Sequence, residues 1–143
     1  MNVRPRRAGE GAALRELARR SKAHWGYEAE VVRVWAKGLE YDGKDVWVAE
    51  EAGTAIGYAT LAVQGERAEL DELWVEPDWI GRGIGSELFR FLASRAAGLG
   101  ARRLEWEAEP NAVGFYERVG GRYLRDSEPS EWGRILPVMG IDL

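Results

Sequence analysis

Two periodicities divide this chain. Between residues 46 and 75 apolar residues come in short runs broken by turn residues; before residue 38 and after residue 83 they recur every three or four positions. The first pattern suits strands with a buried face, the second helices with a buried stripe. The spacing predicts a short strand at 3–6 and a helix at 9–20, with Ala13, Leu14, Leu17 and Ala18 on one face. A second helix is predicted at 28–37, with Val31, Val34 and Trp35 as its apolar positions, before the turn Asp42-Gly43-Lys44-Asp45. Strands at 46–51 and 56–63 form a hairpin across Ala52-Gly53, and Gln64-Gly65-Glu66 turns into a strand at 68–75. The helix at 83–98 carries Ile84, Leu88, Phe91 and Leu92 on one face. A strand at 103–108, a short helix at 112–119, a strand at 123–124, a loop at 126–133 and a final strand at 135–143 complete the order. An antiparallel meander is thus followed by strand–helix–strand, whose crossover should make the strands at 68–75 and 103–108 parallel.

The 143 residues suit one domain, spanning 1–143. No apolar run approaches 18 residues and no signal-peptide pattern is present, so a cytoplasmic protein without a membrane partner is expected. Cysteine is absent, which excludes disulfides, thiolate metal sites and a Cys nucleophile. His24 is the only histidine, so no metal is expected, and acid–base work falls to carboxylates, tyrosines or water. The net charge of −4 argues against a nucleic-acid partner and favours a cationic or amine substrate. Of seven tryptophans, Trp47, Trp74 and Trp106 fall in strands; Trp25, Trp35 and Trp132 fall in or beside helices and loops, where they are core or pocket residues.

The strongest chemical signal lies where the strand at 68–75 gives way to the helix at 83–98. Gly81, Gly83 and Gly85 alternate there with Arg82 and Ile84, and Ser86 follows. Side-chain-free backbone and a helix N-terminus together place several N–H groups and the positive dipole end at one point, a cradle for phosphate. A Walker A loop would need a Lys, and no Lys follows Lys44; a Rossmann fingerprint would need glycine where Ser86 stands, near the start of the fold.

The run Gly81-Arg82-Gly83-Ile84-Gly85-Ser86 resembles the pyrophosphate loop of the GNAT superfamily of acyl-CoA-dependent N-acyltransferases. A second stretch, from Glu109 through Asn111, Ala112, Phe115 and Tyr116 to Gly120, resembles that family's Asn-x-x-Ala-x-x-Phe-Tyr-x-x-x-Gly-Phe helix. The likeness covers nearly the whole chain in element order. It implies an α/β (α+β) fold: a mixed, mostly antiparallel central sheet of six to seven strands, about four helices, and a splayed parallel strand pair whose gap admits the pantetheine arm. It also implies acetyl-CoA as cosubstrate, bound by Leu73, Trp74, Val75, Gly81, Arg82, Gly83, Ile84, Gly85, Ser86 and Asn111. Three positions depart from the family. Ile80 stands where Gln or Arg begins the loop, a place that contributes chiefly its backbone N–H; Gly121 replaces the usual Phe, which should alter local packing only; and Glu109 stands where the family asparagine is expected. Asn111 is then read as a helix N-cap, with a cofactor contact as the alternative.

The resemblance implies transfer of an acetyl group to a primary amine in a small molecule, peptide or protein. Tyr116 is the proton donor to the departing thiolate; packing on the sheet is its plainer alternative. A backbone N–H near Trp74 or Val75 would stabilise the oxyanion. Deprotonating an amine of pKa near 10.4 at pH 7 costs about 4–5 kcal/mol, so a base is sought among Glu69, Asp71, Glu72, Glu105 and Glu107. Glu69 and Glu105 align best; strand alternation puts Glu69 and Asp71 on one face and Glu72 on the other. His24, Trp25 and Tyr27 fall where the family covers its acceptor. A homodimer through Trp132 and the last strand, and a non-catalytic acyl-CoA-binding module in place of an enzyme, complete the expectations.

Overall fold

The structure is a computed structural model describing residues 1–130 and 133–143; Trp132 lies outside the described residues. Seven strands and four helices follow in the order β1 (Asn2–Pro5), α1 (Gly11–Ala23), α2 (Ala29–Lys37), β2 (Asp45–Glu51), β3 (Thr54–Gln64), β4 (Arg67–Val75), α3 (Ile84–Gly98), β5 (Arg103–Glu107), α4 (Val113–Arg118), β6 (Arg122–Asp126) and β7 (Pro137–Asp142). The strands form one sheet in the order β1-β2-β3-β4-β5-β7-β6. Every neighbouring pair is antiparallel except β4–β5, which is parallel. The mixed sheet and the strand–helix–strand unit read from the sequence are therefore present.

Local chemistry explains the hairpin between β2 and β3. Its two-residue turn holds Ala52 at φ +49° and Gly53 at φ +82°, the left-handed pair that matches the twist of the flanking strands.

Helices cover both faces of the sheet. On one face Leu88, Phe89 and Leu92 of α3 pack with Ala59, Leu61, Leu70, Leu104 and Trp106. On the other, Leu14, Leu17 and Ala18 of α1 pack with Val46, Val48 and Tyr58. Two helix faces differ from the sequence reading. α3 buries Phe89, while Phe91 is half-buried with its ring centroid 4.7 Å from that of Trp47. α2 packs through Val32, Ala36 and Trp35, leaving Val31 and Val34 each 49% exposed. The helix is apolar around more of its circumference than the core covers.

Irregularity in β4 governs the site. Thr60 pairs with Glu72, but Leu61 pairs with Leu70, so Asp71 is an extra residue. This β-bulge resets the alternation beyond it. The expectation that Glu72 faces away from Glu69 is corrected accordingly. Leu70 and Leu73 both face α3, whereas Glu69, opposite Ala62, and Glu72, opposite Thr60, share the face covered by α1 and α2.

Candidate functional site

β4 and β5 pair only at Arg67–Arg103, Ala68–Leu104 and Glu69–Glu105. Beyond that point β4 stays with β3 as far as Val75, and β5 stays with β7, so the sheet divides. Glu76 N–H donates to Ile56 O at 2.8 Å, which makes Gly57–Val75 a non-hydrogen-bonded pair of the antiparallel ladder. Alternation then turns the N–H groups of Val75 and Leu73 away from β3 and into the gap. A cleft of about 540 Å³ occupies it, walled by 70–75 of β4, the loop and first turn of α3, Glu107, Glu109 and α4.

The mouth of this cleft is a backbone cradle. Pro77–Trp79 form a 3-10 turn, Gly81 and Gly83 take φ of +83° and +85°, and α3 begins at Ile84. Side-chained residues avoid this left-handed region, so the path of the loop depends on these two glycines. Glu87 N–H is the first to return into the helix, to Gly83 O at 3.1 Å; the N–H groups of 83–86 precede that ladder and remain for a ligand. Gly85 is needed for a different reason: a Cβ there would lie 3.2 Å from the Phe115 ring. Of the loop residues, Gly81, Gly83, Ile84, Gly85 and Ser86 line the cleft. Exposed Arg82 instead places its guanidinium 4.8 Å from the Trp79 ring centroid.

Tyr116 lines the inner wall and is 7% exposed, with ring centroids of Trp106 at 5.0 Å and Phe115 at 5.1 Å. Its hydroxyl has no hydrogen-bond partner among the described residues. Burial, and then the Glu109 charge, push its pKa well above the ordinary tyrosine value, so it holds its proton at neutral pH. Gly121 belongs to this cluster, since a Cβ there would come within 2.8 Å of the Trp106 ring. The Trp106 indole takes the space that a residue larger than glycine would fill. Asn111 does not cap α4: it sits in the 3-10 turn Pro110–Ala112, the N-cap is Ala112, and the Asn111 Nδ2 donates to Glu109 Oε1 at 3.3 Å. It lines the cleft.

Among the carboxylates the geometry is uneven. Glu105 is 4% exposed and clamped by Arg125 at 2.7 Å and Arg103 at 3.3 Å, outside the cleft lining. Burial works against its charge, but the two guanidinium groups outweigh burial and hold its pKa below the usual range. Half-buried Glu69 has its pKa raised by burial and by the Asp71 charge; it too is outside the lining. Glu72 projects into the cleft and accepts a hydrogen bond from Tyr58 at 2.9 Å; Tyr58 in turn bonds Tyr41 at 2.7 Å. Burial is the main cause of its raised pKa, with Asp71 adding to it and Tyr58 opposing it.

Glu72 also lines a second cavity of about 380 Å³ on the α1/α2 face, which shares Asp71, Trp74, Glu107 and Glu109 with the cleft. Lys22, Trp35, Lys44 and Arg134 contribute to it. Arg134 donates to the Tyr27 hydroxyl at 2.6 Å and to Glu109 at 3.2 Å, and Tyr27 donates a short hydrogen bond to Glu109. This latch joins the α1–α2 connection, the segment after β5 and the segment before β7. Its members stand 82 and 25 positions apart in sequence; Tyr27 stood out in the sequence as an acceptor-side residue and Glu109 as a departure from the family motif, whereas Arg134 did not. Trp25 lines the first cleft and Trp35 the second, whereas exposed His24 makes only an edge contact with Trp25.

Comparison with known proteins follows the same lines. Residues 11–121 match the model of the Acetyltransferase (GNAT) family. A peptidyl-lysine N-acetyltransferase, YjaB, of Salmonella typhimurium is 30% identical over 146 residues, covering 99% of this chain and 97% of its own. A GCN5-related N-acetyltransferase of Rhodopseudomonas palustris superposes with a TM-score of 0.83 at 23% identity, covering 99% of this chain and 95% of the other. The PaiA N-acetyltransferase of Thermoplasma acidophilum, solved with coenzyme A, gives a TM-score of 0.77 at 20% identity with full coverage of both.

Proposed function

The chain belongs to the GNAT family of acetyl-CoA-dependent N-acetyltransferases, and on that premise we propose that it acetylates a primary amine, with a lysine side chain as acceptor, by direct transfer within a ternary complex. One observation carries the reading: the sheet divides where the free N–H groups of β4, Glu72 and the protonated Tyr116 all face one space that opens onto a glycine-set helix N-terminus. The cradle fits a pyrophosphate, because residues 83–86 offer unpaired N–H groups at the positive end of a 15-residue helix. The gap fits a pantetheine arm, because β4 offers an unpaired strand edge beyond Glu69. Acetyl-CoA, once bound, supplies a thioester carbonyl and a thiol leaving group.

This chain's residues then divide the work. Glu72 accepts the proton of the incoming ammonium, and its raised pKa makes it a stronger base than an ordinary glutamate. Val75 N–H holds the carbonyl oxygen as negative charge develops there. Tyr116, which keeps its proton at neutral pH, faces the same space and gives that proton to the departing sulfur. Glu69 and Glu105 are not assigned the base here, since neither reaches the cleft. The lysine acceptor is supported by the name of the Salmonella relative, and by the acidic majority of the second cavity, with Glu40, Asp71, Glu72, Glu107 and Glu109 against Lys22, Lys44 and Arg134.

Calorimetric titration with acetyl-CoA, with NAD and dephospho-CoA as controls, tests the cradle, and thiol release in the presence of a lysine-containing peptide tests the transfer. Micromolar, selective binding and peptide-dependent release are expected. Failure to bind at millimolar acetyl-CoA would overturn the assignment of the cleft.

A further inference from the structure

Lysine is rare in this chain. Of 20 basic residues only Lys22, Lys37 and Lys44 are lysines; Lys22 and Lys44 line the candidate acceptor cavity, and of these Lys22 is half-buried whereas Lys44 is exposed. The Lys22 Nζ lies 4.3 Å from the ring centroid of Trp35, 5.2 Å from that of Tyr27 and 5.8 Å from that of Trp74. No carboxylate of the described residues pairs with it. A lysine with a purely structural role normally ends in an ion pair or in bulk water. This one is held by aromatic faces, the way a cationic ligand is held. The surrounding Arg19 and Arg20 are paired with Glu16 and Glu76 and face outward.

Lys22 also lies beside residues that line the cleft. The cavity it lines shares Asp71, Glu72 and Trp74 with the cofactor cleft, and Trp74 immediately precedes the N–H of Val75. Four flexible methylenes separate its nitrogen from α1. Burial lowers its pKa, Glu109 opposes that and Arg134 reinforces it, which enlarges the share of neutral amine.

We propose that Lys22 is a self-acetylation site, receiving the acetyl group of acetyl-CoA bound in the cleft of its own chain. This rests on the acetyl-transfer reading above. The Lys22 ammonium first loses a proton to Glu72. Its nitrogen then bonds to the acetyl carbon while the carbon–sulfur bond breaks, the electron pair leaving with sulfur. Tyr116 protonates that sulfur and recovers a proton from the amide nitrogen. The products are acetyl-Lys22, free CoA and one proton released through Glu72. Acetyl-Lys22 carries no charge, so its hold on the three rings ends and the cavity gains a bulkier neutral group.

The test uses the intact chain with acetyl-CoA alone, followed by intact-mass measurement and peptide mapping. The expected result is one acetyl group, on Lys22, formed with a first-order rate constant unchanged by ten-fold dilution of the protein at saturating acetyl-CoA. Exposed Lys37, which lies outside that cavity, serves as the internal reference for uncatalysed acetylation and should stay unmodified over the same interval. Lys22→Arg should abolish the modification, with a thermal melt confirming its fold, and Glu72→Gln should slow it at least ten-fold. An unmodified Lys22 in a preparation that acetylates an external peptide overturns this proposal and leaves the proposed function intact. So does equal modification of Lys22 and Lys37, or a first-order rate constant that rises with protein concentration. A preparation that neither binds acetyl-CoA nor modifies any amine removes both.

Discussion

The two mouths of the divided sheet are built from different materials. The α3 side is made of backbone: positive-φ Gly81 and Gly83 and the free N–H groups of a helix start. The α1/α2 side is made of side chains from distant segments: Lys22 and Trp35 from the first helices, Glu72 from β4, Glu109 after β5 and Arg134 before β7. A backbone cradle recognises what every CoA ester shares. A side-chain cavity recognises what differs between acceptors, and it can change residue by residue without disturbing the cradle.

Substitutions should separate the two mouths cleanly. Glu72→Gln is expected to lower kcat by about 10²–10⁴-fold while acetyl-CoA Kd stays within about two-fold. In the unaltered protein kcat/KM should rise with pH as Glu72 deprotonates, with a midpoint above the ordinary glutamate value of about 4.3, because burial raises this carboxyl. That acid limb should vanish in Glu72→Gln. The sign for stability is opposite: a carboxyl whose pKa is raised by folding costs stability as pH rises from its unfolded pKa through its folded one, and the cost is complete above the latter. The glutamine variant should therefore melt higher at pH 7, and a lower melting temperature would contradict the desolvated carboxylate. Tyr116→Phe should reduce kcat by roughly 10²-fold, again without loss of cofactor affinity; an unchanged kcat would return Tyr116 to a packing role. Gly83→Ala is expected to do the reverse. A left-handed alanine costs about 1–2 kcal/mol, so acetyl-CoA Kd should weaken by about 5- to 30-fold at constant kcat. The smallest effect should come from Arg134→Gln, which opens the partly exposed latch with Tyr27 and Glu109. Such a pair is worth at most about 1 kcal/mol, and the change should appear as an increase of up to about five-fold in acceptor KM alone.

The same contrast explains what was legible in the sequence. Gly81, Gly83, Gly85 and Tyr116 stood out because each belongs to a short contiguous stretch whose spacing carries the chemistry. Asn111 was misread as a cap because a 3-10 turn, which the residues 110–112 do not announce, moves the N-cap to Ala112 and the helix start to Val113. Glu72 was placed on the wrong face because a bulge has no local sequence signature here; one extra residue at Asp71 inverts every later position of β4. Glu105 looked available because strand alternation says nothing about Arg125, which arrives from a strand two places away in the sheet order. The Lys22 cage requires four segments and the Arg134 latch three, so only the folded chain displays them.

The contact between Gly85 and Phe115 gives the molecule a gauge. The first turn of α3 rests directly on the ring of the residue preceding Tyr116, with no side chain between them. The proposed phosphate seat and the proposed proton donor are thereby parts of one fixture, and a shift of the loop would carry the phenol with it. A single methyl added at position 85 would act as a shim, spacing the two parts while leaving every reacting group in place. The tolerance of the machine is thus set at a residue that has no side chain and touches no reacting atom.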